Sequence, residues 1–220
     1  MKKVLIANRG EIAIRIARTC SDLGIKTIGI YSEDDEGSLH LSKVDEAYKI
    51  NGIGSQAYLN IKEIIATAKK FNADAIHPGY GFLSENPSLA AASKRAKIKF
   101  IGPSERALKV FGDKNAAKEL AINLDIPVIQ GTKKATSFRQ AQNFMKSLKK
   151  NSSVLIKASS GGGGRGMRVV SQISELKQSY DRAASEAKAS FNSSDLYLEE
   201  YLENYRHIEF QILGDGTGAV

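Results

Sequence analysis

The first hundred residues alternate short apolar runs with longer stretches of helical periodicity, and this alternation constrains the fold most. Val4-Leu5-Ile6-Ala7, Thr27–Tyr31, Ala47–Ile50, Ala73–Ile76 and Lys99–Ile101 read as strands. Between them, Glu11–Leu23 carries Ile12, Ile16, Cys20 and Leu23 on one stripe and stops at Gly24. Ile61–Phe71 turns Ile61, Ile64, Ile65 and Ala68 inward, and Pro87–Lys97 opens with a proline in its first turn. Strands separated by helices of this length pair in parallel, because a parallel connection needs a crossover. The expected fold class is therefore α/β with a doubly wound parallel sheet. Right-handed crossovers bring the carboxyl ends of its strands, and any ligand, to one edge.

The pattern changes after Gly102-Pro103-Ser104. Helices are expected over 105–111 and 113–124, then over 137–150 and 173–189. Strands are expected at Val154–Lys157, Met167–Val170 and Leu196–Glu199, which suits a small α+β unit with antiparallel strands. His207–Leu213 alternates with period two, as a half-buried strand does, and Gly214-Asp215-Gly216 is a turn signal. A hairpin without its second arm leaves an open edge, so the expectation is that this chain is the front part of a longer one. The expected organisation is an N-terminal α/β domain over 1–112, a linker helix region over 113–131, a lid over 132–202, and the start of a truncated third domain over 203–220.

Composition narrows the class. With 42% hydrophobic and 25% charged residues the chain is neither disordered nor collagen-like. No apolar run approaches the roughly 20 residues of a membrane span, and the Met1–Arg9 segment meets a charge and a turn too early for a signal peptide. The single cysteine, Cys20, excludes an internal disulfide and reads as a small buried hydrophobe. Net charge is +8, and Lys109–Lys150 holds nine basic residues against three acidic ones. A solvated basic helical face explains most of these. A polyanion partner would be nucleic acid or a nucleoside triphosphate, but aromatics are only 7% and tryptophan is absent, which disfavours nucleic acid.

The glycines favour the triphosphate. Lys157-Ala158-Ser159-Ser160-Gly161-Gly162-Gly163-Gly164-Arg165-Gly166-Met167 follows one strand and precedes another. It formally contains the dinucleotide fingerprint, but that motif must open a helix, and no Walker Gly-Lys-[Ser/Thr] follows. What remains is a hairpin tip free of side chains, whose backbone N–H groups can surround phosphates, with Arg165 adding charge. Lys157, at the end of the entering strand, can neutralise phosphate charge. Lys114 lies near a helix start with Asp113 as N-cap. Glu199 and Glu200 at a strand end can bind an adenine amine or ribose hydroxyls, though a solvated acidic strand end explains them equally; His207 can reach a ribose or phosphate, though a lone histidine is more often structural. His77–Asn86 follows a strand, with Gly79 and Gly81 letting the backbone approach a ligand, and a rigid βα turn explains the segment equally well. For Asn8-Arg9-Gly10-Glu11 a purely structural turn is the better reading.

Taken together, the chain resembles the biotin carboxylase family of ATP-grasp enzymes from Lys3 to Val220. The resemblance rests on Val4–Ala13, His77–Asn86, Ile101-Gly102-Pro103, Gly112-Asp113-Lys114, Lys157–Arg168 and Glu199–Gln211. It implies that Lys114 and Lys157 hold the ATP phosphates and that the Gly161, Gly162, Gly163, Gly164, Arg165, Gly166 and Met167 loop closes over them. It further implies that Glu199, Glu200, Leu202 and His207 contact the nucleotide, and that Tyr80 and Gly81 lie near the ureido ring of biotin. The family uses ATP with Mg2+ or Mn2+ to activate bicarbonate as carboxyphosphate, which carboxylates biotin on a carrier. Its partners are a biotin carboxyl carrier, a carboxyltransferase and a second copy in a homodimer, with neither nucleic acid nor membrane. The expected location is the cytoplasm, or the mitochondrial matrix for a processed eukaryotic homologue. Ser160, Tyr205 and Gln130 depart from the family pattern without touching an expected phosphate ligand. The family's metal-binding glutamates, bicarbonate-binding arginine and catalytic glutamate lie beyond the point matching Val220. No catalytic or metal residue is therefore assigned here, and the chain alone is expected not to turn over. Another ATP-grasp ligase and a non-catalytic nucleotide-binding module are the alternatives.

Overall fold

A computed structural model describes residues 1–132, 135–159 and 167–214. It divides into two compact units, Met1–Ile126 and Pro127–Val220.

The first unit runs β1 (Lys3–Ile6), α1 (Gly10–Asp22), β2 (Lys26–Tyr31), β3 (Glu46–Lys49), α2 (Gly54–Ala57), α3 (Ile61–Lys70), β4 (Ala75–His77), α4 (Pro87–Arg95), β5 (Lys99–Phe100), α5 (Glu105–Gly112) and α6 (Lys114–Asn123). Short 3-10 turns at Glu33–Asp35 and Leu39–Lys43 sit between β2 and β3. The five strands pair in parallel in the order β3-β2-β1-β4-β5, so the doubly wound expectation holds. Apolar clusters cover both faces of the sheet. One gathers Leu5, Ile28, Ile30, Tyr58, Ile64, Ile76 and Leu89. The other gathers Val4, Ile6, Ala13, Ile16, Ala17 and Cys20 under α1. Cys20 is buried as expected, and that burial raises its thiol pKa. Leu23 leaves the expected stripe: α1 ends at Asp22, and the Leu23 side chain is exposed beside Gly24 at φ +67. Asn86 caps α4 and Ser104 caps α5, each accepting a backbone N–H in the first turn.

The second unit contains α7 (Phe138–Ser147), β6 (Ser153–Ala158), β7 (Arg168–Val170), α8 (Ile173–Phe191) and β8 (Leu196–Tyr201). Its antiparallel sheet has the order β7-β6-β8. Val154, Ile156, Ala158, Val170, Leu196 and Leu198 form the face buried against Leu176, Ala183 and Ala187 of α8 and Ala141 of α7. Residues 130, 132 and 136 bond the far edge of β8, through Glu200 N to Gln130 O, Thr132 N to Leu198 O and Thr136 N to Leu196 O. Two expectations need correction. The helix expected over 137–150 stops at Ser147, because Leu148 is extended and Asn151 is left-handed. The strand expected over His207–Leu213 is not formed. Ile208, Phe210 and Ile212 are 65%, 81% and 66% exposed, and alternation produces a strand only where another element covers one of its sides.

Candidate functional site

In the first sheet the order in which strands are added reverses between β1 and β4, so the loops after these two strands flank the crevice where open α/β sheets take ligands. The buried Asn8 joins them: its Nδ2 donates to Pro78 O at 2.7 Å and Tyr80 O at 2.8 Å. Gly79, at φ +66, passes so close that a Cβ there would stand 2.8 Å from that Nδ2. The Gly79 N–H donates to His77 Nδ1 at 3.0 Å, so that nitrogen carries no proton. Burial favours the same neutral ring by holding the His77 pKa below its usual value. Tyr80 is 60% exposed and donates its hydroxyl to Glu11, which raises the phenol pKa. Gly81, at φ +65, has open space where a side chain would go. The structure thus brings Tyr80 and Gly81 together on an anchored turn at the ligand edge, and the Asn8–Glu11 turn supplies the anchors.

Beside this turn lies a cluster that the sequence did not reveal. Arg9 Nη1 pairs with Asp35 Oδ2 at 2.9 Å, and the same oxygen accepts the Tyr58 hydroxyl at 2.7 Å. Burial pushes the Asp35 pKa up, but hydrogen bonds from Tyr58, Arg9 and Ser32 outweigh it and hold the carboxyl below its ordinary range. Tyr58 is pushed up to about 12 by burial and by its bond to Asp35. Arg9 is raised further by its bond to Asp35. No spacing rule links these three residues; Arg9 follows β1, Asp35 lies in the turn after β2 and Tyr58 ends α2, and only the tertiary fold brings them together.

In the second unit the pleat of the sheet decides what faces outward. The register pairs Lys157 with Tyr197 and Leu155 with both Glu199 and Val169, so these five side chains share the face opposite the core. Lys157 Nζ and Glu199 Oε2 are 2.5 Å apart, each partly shielded, and Nζ lies 5.9 Å from the Tyr197 ring centroid. Apolar Leu155 and Val169, an aromatic ring, a cation and a carboxylate offer a flat base both stacking and polar contacts. Glu200 has the opposite parity, and its Oε1 accepts Ser152 Oγ at 3.3 Å on the other side of the sheet. Leu202 is exposed just past β8, and His207 is exposed with Nε2 4.0 Å from Glu209. Met167, 46% exposed, directly precedes β7. Gly161–Gly166, with Arg165, lie outside the described residues. Lys114 is the first residue of α6 in the first unit, and Asp113 accepts from Ala116 N at 3.3 Å, the cap expected of it. A groove of about 820 Å³ between α4, β5 and α5, edged by Lys94, Lys99, Arg106 and Lys109, gathers none of the residues expected to contact nucleotide or biotin. Among the described residues, no group of three or more His, Cys, Asp or Glu side chains could hold a metal ion.

The fold defines a chain in which a doubly wound α/β domain is followed by a small α+β domain with a three-stranded antiparallel sheet. Residues 1–108 match the model of the biotin carboxylase N-terminal domain, and residues 113–220 match that of the carbamoyl-phosphate synthase L chain ATP-binding domain. Human mitochondrial pyruvate carboxylase is 49% identical over 223 residues, covering 100% of this chain and 19% of that protein. A structure described as the biotin carboxylase–βγ-ATP complex from Campylobacter jejuni superimposes with a TM-score of 0.84 at 44% identity, over 97% of this chain and 48% of that one. The Hydrogenobacter thermophilus 2-oxoglutarate carboxylase biotin carboxylase domain dimer, in complex with MgADP, ADP and bicarbonate, has a TM-score of 0.77 at 42% identity, over 92% of this chain and 45% of that one. The chain belongs to the biotin carboxylase family. It spans about a fifth of the length of the curated relatives it matches.

Proposed function

We propose that this chain serves the ATP-dependent carboxylation of biotin by bicarbonate, through carboxyphosphate, as part of the biotin carboxylase component of an acyl-CoA or pyruvate carboxylase. The observation that carries the reading is the open face of β6 and β8, where Lys157 and Glu199 meet above Leu155, Val169 and Tyr197 at the entrance to the glycine run. In this reading Lys157 and Lys114 neutralise the phosphates. The loop from Gly161 to Met167 supplies backbone donors, and Glu199, Leu202 and His207 hold the nucleoside end, whereas the Glu200 side chain turns to the other side of the sheet. Tyr80 and Gly81 take the ureido ring. Mg2+ or Mn2+ would accompany ATP, shielding charge on the transferring phosphoryl group. The complexes solved for the Campylobacter and Hydrogenobacter relatives support this assignment of nucleotide, metal and bicarbonate. Expected partners are a biotin carboxyl carrier, a carboxyltransferase and a second copy of the chain, in the cytoplasm or a mitochondrial matrix.

The test uses the full-length protein. ATP cleavage is expected to require both bicarbonate and free biotin. Lys157→Ala is expected to weaken ATP binding roughly 10- to 100-fold, the worth of a charge-assisted phosphate contact. Unchanged ATP affinity in that variant overturns the site, and cleavage that ignores biotin overturns the substrate.

A further inference from the structure

Phe82 stands at φ +40, a left-handed conformation that a bulky side chain keeps only when its surroundings impose it. Three groups do so. The Tyr58 ring, fully buried, stacks on Phe82 with centroids 5.1 Å apart and planes 11° apart. The Arg9 guanidinium lies over both rings, 5.6 Å from the Tyr58 centroid and 5.8 Å from that of Phe82. Asp35 ties the two together, accepting from Arg9 at 2.9 Å and from the Tyr58 hydroxyl at 2.7 Å. That hydroxyl also accepts the Ser32 N–H at 3.2 Å, anchoring the cluster to the end of β2. Phe82 directly follows Tyr80 and Gly81, whose turn is held from its other side by Asn8.

We propose that Arg9, Asp35 and Tyr58 are positioning residues for the Tyr80–Gly81 turn. They clamp the ring of Phe82 and so preset the backbone that receives the ureido ring. The ligand then meets a wall already shaped, and its binding need not order the turn. This rests on the reading that Tyr80 and Gly81 face biotin. The clamp is built from residues of the first unit and packs on Phe82 beside Tyr80 and Gly81, so its loss is expected to act on biotin rather than on ATP.

The test compares Asp35→Asn, Arg9→Lys and Tyr58→Phe in the full-length protein, each checked for an intact thermal transition. Two quantities are read: the exchange of backbone amides over residues 79–84, and the KM for free biotin against the KM for ATP in biotin-dependent ATP cleavage. Asp35→Asn and Arg9→Lys are expected to speed loop exchange and raise the biotin KM about tenfold, equivalent to ~1.4 kcal/mol, while the ATP KM stays within about twofold. Tyr58→Phe keeps the stack and is expected to show a smaller change of the same kind. Unchanged loop exchange overturns the clamp. Faster exchange with an unchanged biotin KM, or biotin and ATP KM moving together, overturns the positioning role. Tyr80→Ala separates the two levels. If it leaves the biotin KM unchanged, the underlying reading falls and the proposal with it; if it raises that KM while the Arg9 and Asp35 variants do not, the proposal alone falls.

Discussion

Gly10 and Gly79 both adopt left-handed backbone, at φ +63 and +66, yet they are not equivalent. A methyl group at Gly10 meets nothing within 4 Å, so Gly10→Ala should cost only the conformational penalty, about 1–2 kcal/mol. At Gly79 the methyl would collide with the buried Asn8 amide, adding overpacking of about 1–3 kcal/mol. Thermal unfolding should rank Gly79→Ala clearly below Gly10→Ala; equal losses would mean that the Asn8 contact yields freely. The Arg9–Asp35–Tyr58 cluster sets a pH window in the same way. Asp35 titrates below its ordinary value of 3.8, so its stabilisation is complete above that pH and fades as pH falls through the folded value. Tyr58 is raised from 10 to about 12, so its stabilisation is complete below pH 10 and is lost as pH climbs toward 12. The stability difference between wild type and Asp35→Asn, followed by urea unfolding, should be flat from about pH 5 to 9 and shrink on acidification. A difference that grows in acid would contradict the pairing.

At the scale of elements, strands and helices followed local rules where a cap, a glycine or a proline marked their ends, as Gly24 does for α1 and Pro87 for α4. The capping box of Ser137 and Gln140 starts α7 in the same manner. Ser137→Ala should cost about 1 kcal/mol in thermal unfolding of the second unit, and no loss would show that tertiary packing alone holds the helix start. Periodicity misled where it stood alone. His207–Leu213 has the alternation of a strand but no covering element among the described residues, and its apolar side chains stay exposed. Lys157 and Glu199 were each legible as strand-end residues. Their pairing was not, because a contact across 42 positions depends on the β6–β8 register.

On the scale of the whole molecule, each unit carries its own core: two clusters in Met1–Ile126 and one in Pro127–Val220. Residues 1–126 expressed alone should therefore unfold in one cooperative thermal transition, and a gradual, non-cooperative melt would refute that independence. The chain's order of short apolar runs, helices and glycines determined by itself the doubly wound sheet and the small antiparallel unit, because periodicity, caps and turn glycines act over a few residues. Tertiary structure alone decided that Asn8 anchors the Tyr80 turn, that Arg9, Asp35 and Tyr58 meet under Phe82, and that Lys157 faces Glu199. Those contacts are set by strand order and register, which bring distant residues together, and local sequence carries no record of that distance.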